Sequence, residues 1–211
     1  MTLNVNDAKT NTVFKDRPQP EEGTHLGVVI QVIDLGVQPG PVFQGEKKPD
    51  AQMVRLTYEL PNETHDFDGE IKPLIVSEEF KFSGDDRSKC FKRLNALDPG
   101  MKKTGGDLMK LLGMPCMVQI IQKDGKGKHE GKKFSNVGSI APLMKGMAAP
   151  ESTFNGLVAY TPSMHVQDVW DSLPEFLQNK ISSRLDASGE SQTSAKQESP
   201  SSSDNQVSDD W

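Results

Sequence analysis

Bases and aromatic rings occur together at two places in the chain, and that combination carries its clearest chemistry. The first is the stretch 36–50, with three prolines and three glycines around Phe43, Lys47 and Lys48. The second is the turn 124–131, with Lys126 and Lys128, continued by Lys132, Lys133 and Phe134. Between them Arg55 projects from the polar face of an alternating segment, and Tyr58 lies on its apolar face. Cations neutralise phosphates, and flat rings stack on bases whatever their identity; a single-stranded nucleic acid needs this mixture. Each stacked base contributes roughly 1–3 kcal/mol, so two or three exposed rings suffice. Phe43, Tyr58 and Phe134 are the stacking candidates, and Tyr58 is the weakest because its strand face reads as buried. Phe80, Phe82 and Phe91 read as core. Gly125, Gly127 and Gly131 would let the second loop move over a strand, but they also suit any hairpin turn.

Other chemistries find little to hold. The four histidines, His25, His65, His129 and His165, are far apart and match no metal-ligand spacing. No nucleophile elbow appears, and Lys103-Thr104 lacks the glycine framework of a phosphate-binding loop. The pairs Glu78-Glu79 and Asp85-Asp86 are adjacent, so on a strand they face opposite ways and before a helix they act as cap and dipole partners. Cys90 and Cys116 fall in apolar-periodic segments and read as small buried hydrophobes. The expectation is a binding protein without catalytic, metal or cofactor residues.

The formal charge of −6 averages two unlike parts. Residues 81–133 hold 13 Lys and Arg against 6 Asp and Glu, a net of +7, while the remainder holds 11 against 24, a net of −13. A basic central segment flanked by acid suits a polyanionic ligand. A scattered set of solvated lysines would give the same count.

The elements that must position these residues follow from pattern. Residues 1–24 read as an irregular arm. Residues 26–37 are a Val/Ile-rich strand, 51–60 an alternating half-buried strand, and 74–82 a third strand whose inward face is complicated by Glu78. Residues 61–73 read as a polar connection. Residues 83–86 offer helix caps before Cys90, Phe91, Leu94 and Leu97, which recur at helical spacing, and Asp98-Pro99-Gly100 stops that helix. A short helix over 107–112 ends at Gly113, and strands follow over 115–123 and 132–140. The order strand, strand, strand, helix, strand, strand fits a mainly β fold, the five-stranded OB-fold Greek-key barrel with a helix between strands 3 and 4. An open α+β sheet fits it too. In the barrel, the loop between strands 1 and 2, the loop between strands 4 and 5, and the face of strands 2 and 3 would carry ligand. The organisation predicted is an arm (1–24), a binding domain (25–143), a linker with two short helices packed on the barrel (144–186), and a tail (187–211).

That tail has five acids against Lys196 and no apolar period, so its composition predicts disorder. It ends Asp209-Asp210-Trp211, an anionic patch with one bulky anchor, which suits a partner pocket rimmed by Arg and Lys. No apolar run approaches a membrane span, and no apolar leader follows the N-terminus.

The core from about residue 26 to 143 resembles the OB-fold single-stranded DNA-binding proteins of tailed bacteriophages. The residues that carry the resemblance are Val54-Arg55-Leu56-Thr57-Tyr58-Glu59-Leu60, the run 107–118 (DLMKLLGMPCMV), the basic turn, and 134–140 (FSNVGSI). The acidic tail is a second match, although such tails commonly end in Phe where this chain has Trp211. The resemblance implies a non-catalytic protein that coats transient single strands in DNA replication, recombination and repair. It also implies that the tail recruits replication proteins, such as a polymerase or helicase-primase, in the cytoplasm of the host cell. A homo-oligomer is compatible with it. An assembly module whose barrel holds another protein and an RNA-binding or oligosaccharide-binding OB module are the alternatives.

Overall fold

The computed structural model describes residues 18–125, 127–150 and 153–186. Its centre is a strongly curled antiparallel sheet. The strands are β1 (Gly23–Gln38), two very short strands β2 (Val42–Phe43) and β3 (Glu46–Lys47), β4 (Ala51–Phe67), β5 (Glu70–Lys81), β6 (Pro115–Asp124), β7 (Lys133–Ala141) and β8 (Val158–Tyr160). The order across the main sheet is β5-β4-β1-β6-β7. β1 pairs with β4 along one edge; on its other edge β6 covers residues 23–28 and β8 runs parallel to residues 31–33. The curled sheet and few helices are those of a mainly β protein and are compatible with a β barrel.

β1 explains its own composition. Its register with β4 shifts between Val29 and Gln31, which changes the parity of the side chains. Val29 and Val32 therefore enter the main core, with Leu56, Tyr58, Leu60, Phe80, Leu111, Val118 and Ile120. Ile33 and Leu35 enter a second core on the opposite face, with Tyr160, Leu173, Leu177 and Ile181. A strand buried on both faces reads as a continuous Val/Ile run.

The second core is built by α2 (Gln167–Ser172) and α3 (Glu175–Ser182), separated at Pro174. Strands β4 and β5 run further than their alternation suggested. Residues 61–73 are mostly the arms of a long hairpin closed at Asp68-Gly69, not a connection. They are polar because they lie beyond the core, where neither face is buried and period 2 leaves no apolar trace.

The helix α1 (Lys89–Leu97) is capped by Ser88, whose hydroxyl oxygen accepts from Phe91 N at 3.0 Å, rather than by a residue of 83–86. α1 carries Arg93 into the space between β5 and β7, which no ladder joins among the described residues. Arg93 Nε and Nη2 donate to Glu78 Oε1 and Oε2 at 2.8 and 2.9 Å, and Nη2 also donates to Gly138 O at 3.1 Å. Tyr58 OH and Lys89 Nζ complete the shell of Glu78 at 2.8 and 2.7 Å. A buried carboxylate on an otherwise apolar face is thereby paired and fully hydrogen-bonded. The other end of the same gap meets the N-terminal arm: Ser135 Oγ donates to Pro20 O at 2.6 Å, and Ser135 N donates to Gln19 Oε1 at 3.1 Å.

Asp98 closes α1. Its Oδ2 accepts from Lys103 N, Thr104 N and Thr104 Oγ1 at 2.9, 2.7 and 2.9 Å. The Thr104 amide, more than any other group, holds its carboxyl below the ordinary 3.8. The stability this carboxylate contributes is complete above pH 3.8 and is lost as the pH falls through the lower folded-state value. Asp98→Asn is expected to lower the urea midpoint at neutral pH and to remove part of the acid-limb slope. Urea titrations at a series of pH values check this, and an unchanged acid limb would contradict it.

Candidate nucleic-acid interface

The loop after β1 is a braced hairpin. Gln44 and Gly45 both have positive φ, +52° and +83°, as a tight primed turn between β2 and β3 requires. Below the turn the two arms close on each other: a Cβ on Gly40 would lie 1.9 Å from Lys48 O, so only glycine fits. Asp50 Oδ1 accepts from Gly40 N at 2.9 Å and pairs with Lys47 at 3.1 Å. The Gly40 amide, then Lys47, pull its carboxyl below the ordinary range. This bracing holds Phe43 out in solvent, 60 % exposed, with Lys48 Nζ 6.0 Å from the ring centroid. Phe43, Lys47 and Lys48 are therefore brought together on one small platform.

The loop between β6 and β7 is closed by Gly125 N donating to Lys132 O at 2.7 Å. Gly125 is again sterically required, since a Cβ there would lie 2.1 Å from His129 O. Phe134 is partly exposed and meets the His129 ring edge-on at 5.6 Å. Lys132 and Lys133 are exposed beside it. Lys126 and the side chain of Lys128 lie outside the described residues. The ladders set the two loops at opposite ends of β1: Gln38 pairs with Ala51 next to the first, and Gly23 pairs with Ile120 toward the second.

The face of β4 and β5 expected to carry ligand is covered by the chain itself. Arg55 Nη1 donates to Glu79 Oε1 at 3.0 Å, and its guanidinium lies 5.4 Å from the Phe176 ring of α3. Lys180, one turn on, also binds Glu79. Thr57 is buried, with its hydroxyl hydrogen-bonded to Gln31 and Ser77. Glu59, 1 % exposed, accepts from Phe154 N, Asn155 N and Asn155 Nδ2 at 2.9, 2.8 and 2.6 Å and pins the segment leading to β8. Arg55 is thus committed within the fold. Tyr58 is 0 % exposed and donates to Glu78, so its ring is core and unavailable for stacking. Phe82 moves the other way: it stands at the end of β5 and is 48 % exposed, whereas Phe80 is buried.

Sequence reasoning passed over Lys81, at the exposed end of β5, and the structural roles of Glu78 and Glu59. Glu78 left a signal, an acid in register with apolar neighbours on an alternating strand, which marks a buried partner.

Both thiols are buried. Burial, then the charge of Glu78, pushes Cys116 up to about 12, and burial raises Cys90, so neither supplies a thiolate at neutral pH. Among the described residues no group of three His, Cys, Asp or Glu side chains could hold a metal ion, and no helix is long and apolar enough to cross a membrane. Asp209, Asp210 and Trp211 lie outside the described residues.

The site so defined is a pair of glycine-braced loops, each offering lysines beside an exposed ring. No protein-family model, curated protein or solved structure matches the chain.

Proposed function

We propose that this chain binds single-stranded DNA with little regard to sequence and without catalysis, as an OB-fold module of the bacteriophage replication type. The strand order β5-β4-β1-β6-β7, with α1 between β5 and β6, supports the OB reading, because that fold places its ligand loops after its first and fourth long strands. The single observation that carries the functional reading is the hairpin that uses one sterically tight glycine, Gly40, a positive-φ glycine, Gly45, and an ion pair to keep Phe43 and Lys48 in water. A large exposed ring beside a cation stabilises no fold, but it suits a base and its phosphate. Lys47, Lys132 and Lys133, together with Lys126 and Lys128, would supply further phosphate contacts. The tail, through Asp209, Asp210 and Trp211, would recruit replication proteins.

Phe43→Ala tests the reading. Affinity for oligo-dT and for mixed-sequence single strands is expected to fall alike, by roughly 1–3 kcal/mol, with the melting temperature unchanged. Anisotropy titrations at several salt concentrations, with duplex DNA, RNA and oligosaccharides as competitors, measure it. Binding that ignores salt, or a preference for sugar or duplex, would overturn it.

A further inference from the structure

We propose that the strand does not cross the outer face of β4 and β5 but runs along the end of the sheet, through a cleft between the 39–50 loop and α3 and on past Lys81 to Arg87 and Lys89. The inference rests on the reading above and assigns a path that the two loops alone do not define. Three observations carry it.

The usual face is closed, since Phe176 and Lys180 of α3 occupy Arg55 and Glu79 there. A phosphate arriving at Arg55 would have to displace a helix whose Leu177 and Ile181 are buried in the second core.

Beside this closed face lies a cavity of about 640 Å³, within the size range of small-ligand sites. Its walls are the proline-rich loop, Ala51 and Met53, and its rim carries Lys48, Lys81 and Lys180. Apolar flat walls with ammonium groups at the rim match the two halves of a nucleotide, a base to bury and a phosphate to neutralise. Phe43 does not line the cavity, but its ring centroid lies 6.0 Å from the Nζ of Lys48, which does.

Lys81 is shared with a second, shallower depression lined by Arg87 and Lys89. Five bases and one acid, Asp85, line the two together. Opposing charges do not cancel this at the centre, because Lys81 makes no ion pair among the described residues, whereas Lys48 pairs with Glu46, Lys180 with Glu79, Arg87 with Asp85 and Lys89 with Glu78. The free charge sits where the two depressions meet.

The test is a salt titration of a labelled oligo-dT with the full-length chain and three variants. In Lys48→Ala/Lys81→Ala the log–log slope is expected to fall by about 1.4, at about 0.7 per lost phosphate contact. Lys81→Glu should weaken binding further at low salt, and Lys81→Arg should restore the slope. Acetylation of Lys81 by acetic anhydride should be suppressed by bound oligo-dT, a readout that a mere change in stability would not move. If the unaltered chain binds no single strand, the functional reading falls and the path with it. If it binds, and the double variant keeps the full slope while Lys81 of the unaltered chain stays open to acetylation with oligo-dT bound, the path alone is overturned.

Discussion

Arg93→Ala is expected to cost about 3–5 kcal/mol of folding stability, the range for removing one partner of a buried ion pair. The loss has a structural address. Without the guanidinium, the Glu78 carboxylate keeps only Tyr58 OH and Lys89 Nζ in the gap between β5 and β7, and Gly138 O loses its donor. The same deletion unties α1 from both β5 and β7, two strands that no ladder joins among the described residues. Urea unfolding followed by far-UV circular dichroism measures the loss. Glu78→Leu combined with Arg93→Met should lose less than Arg93→Ala, because no charge is then stranded. A loss below about 1 kcal/mol in Arg93→Ala would show that Lys89 and solvent suffice for Glu78. Tyr58 gives an independent check. Burial, then the charge of Glu78, raises its phenol well above the ordinary 10.0. The stability it contributes is therefore complete below pH 10.0 and declines as the pH rises beyond it, and Tyr58→Phe should flatten that alkaline decline.

Leu177→Ala is the second large effect, expected to cost about 2–5 kcal/mol as a fully buried leucine truncated in a small core. Leu177 and Ile181 are the α3 side chains that fill the second core against Ile33, Leu35, Tyr160 and Leu173. A core of this size has little reserve, so the α2–α3 segment should loosen before the main sheet does. Trp170 reports the event, since its ring lies 5.7 Å from both Tyr160 and His165. On a Trp211→Phe background its fluorescence should shift at lower urea than the β signal in Leu177→Ala, while the two coincide in the parent chain. Coincident transitions in both proteins would mean that the two cores unfold as one unit. Loosening also separates the two views of the ligand path. If α3 supplies one wall of the cleft, single-strand affinity should fall in Leu177→Ala. If α3 merely hides Arg55 and the β4–β5 face, affinity should rise.

The cores of the long strands, the helix between β5 and β6, and the punctuation at Asp98-Pro99-Gly100 and Gly113 were legible because each is a local pattern. Alternation marks a half-buried strand, and glycine marks a turn that needs positive φ. Gly113, at φ +80°, is such a case. The outer half of the β4–β5 hairpin was not legible, because alternation records the burial of one face and residues 61–73 have little to bury. Phe82 misled for a related reason: aromatic type suggests burial, but the end of β5 leaves it at the rim.

The candidate site divides in the same way. The presence of lysines and rings in the 36–50 and 124–134 stretches is composition, and the exposure of Phe43, Lys47, Lys48, Lys132, Lys133 and Phe134 follows from glycine-rich loops that approach themselves closely at Gly40 and Gly125. Whether Arg55 faces water is not a local property. It depends on Phe176 and Lys180, more than a hundred residues away, returning to lie over Glu79. The sequence alone determined which segments are strands and where the cations and exposed loops fall, since hydrophobic period and backbone sterics act between near neighbours. Only the tertiary structure decided which cations are spent on carboxylates, which faces the chain covers with its own helices, and therefore where an open, positively charged cleft remains. Those outcomes depend on pairings between distant segments, for which a residue's neighbours in sequence carry no physical constraint.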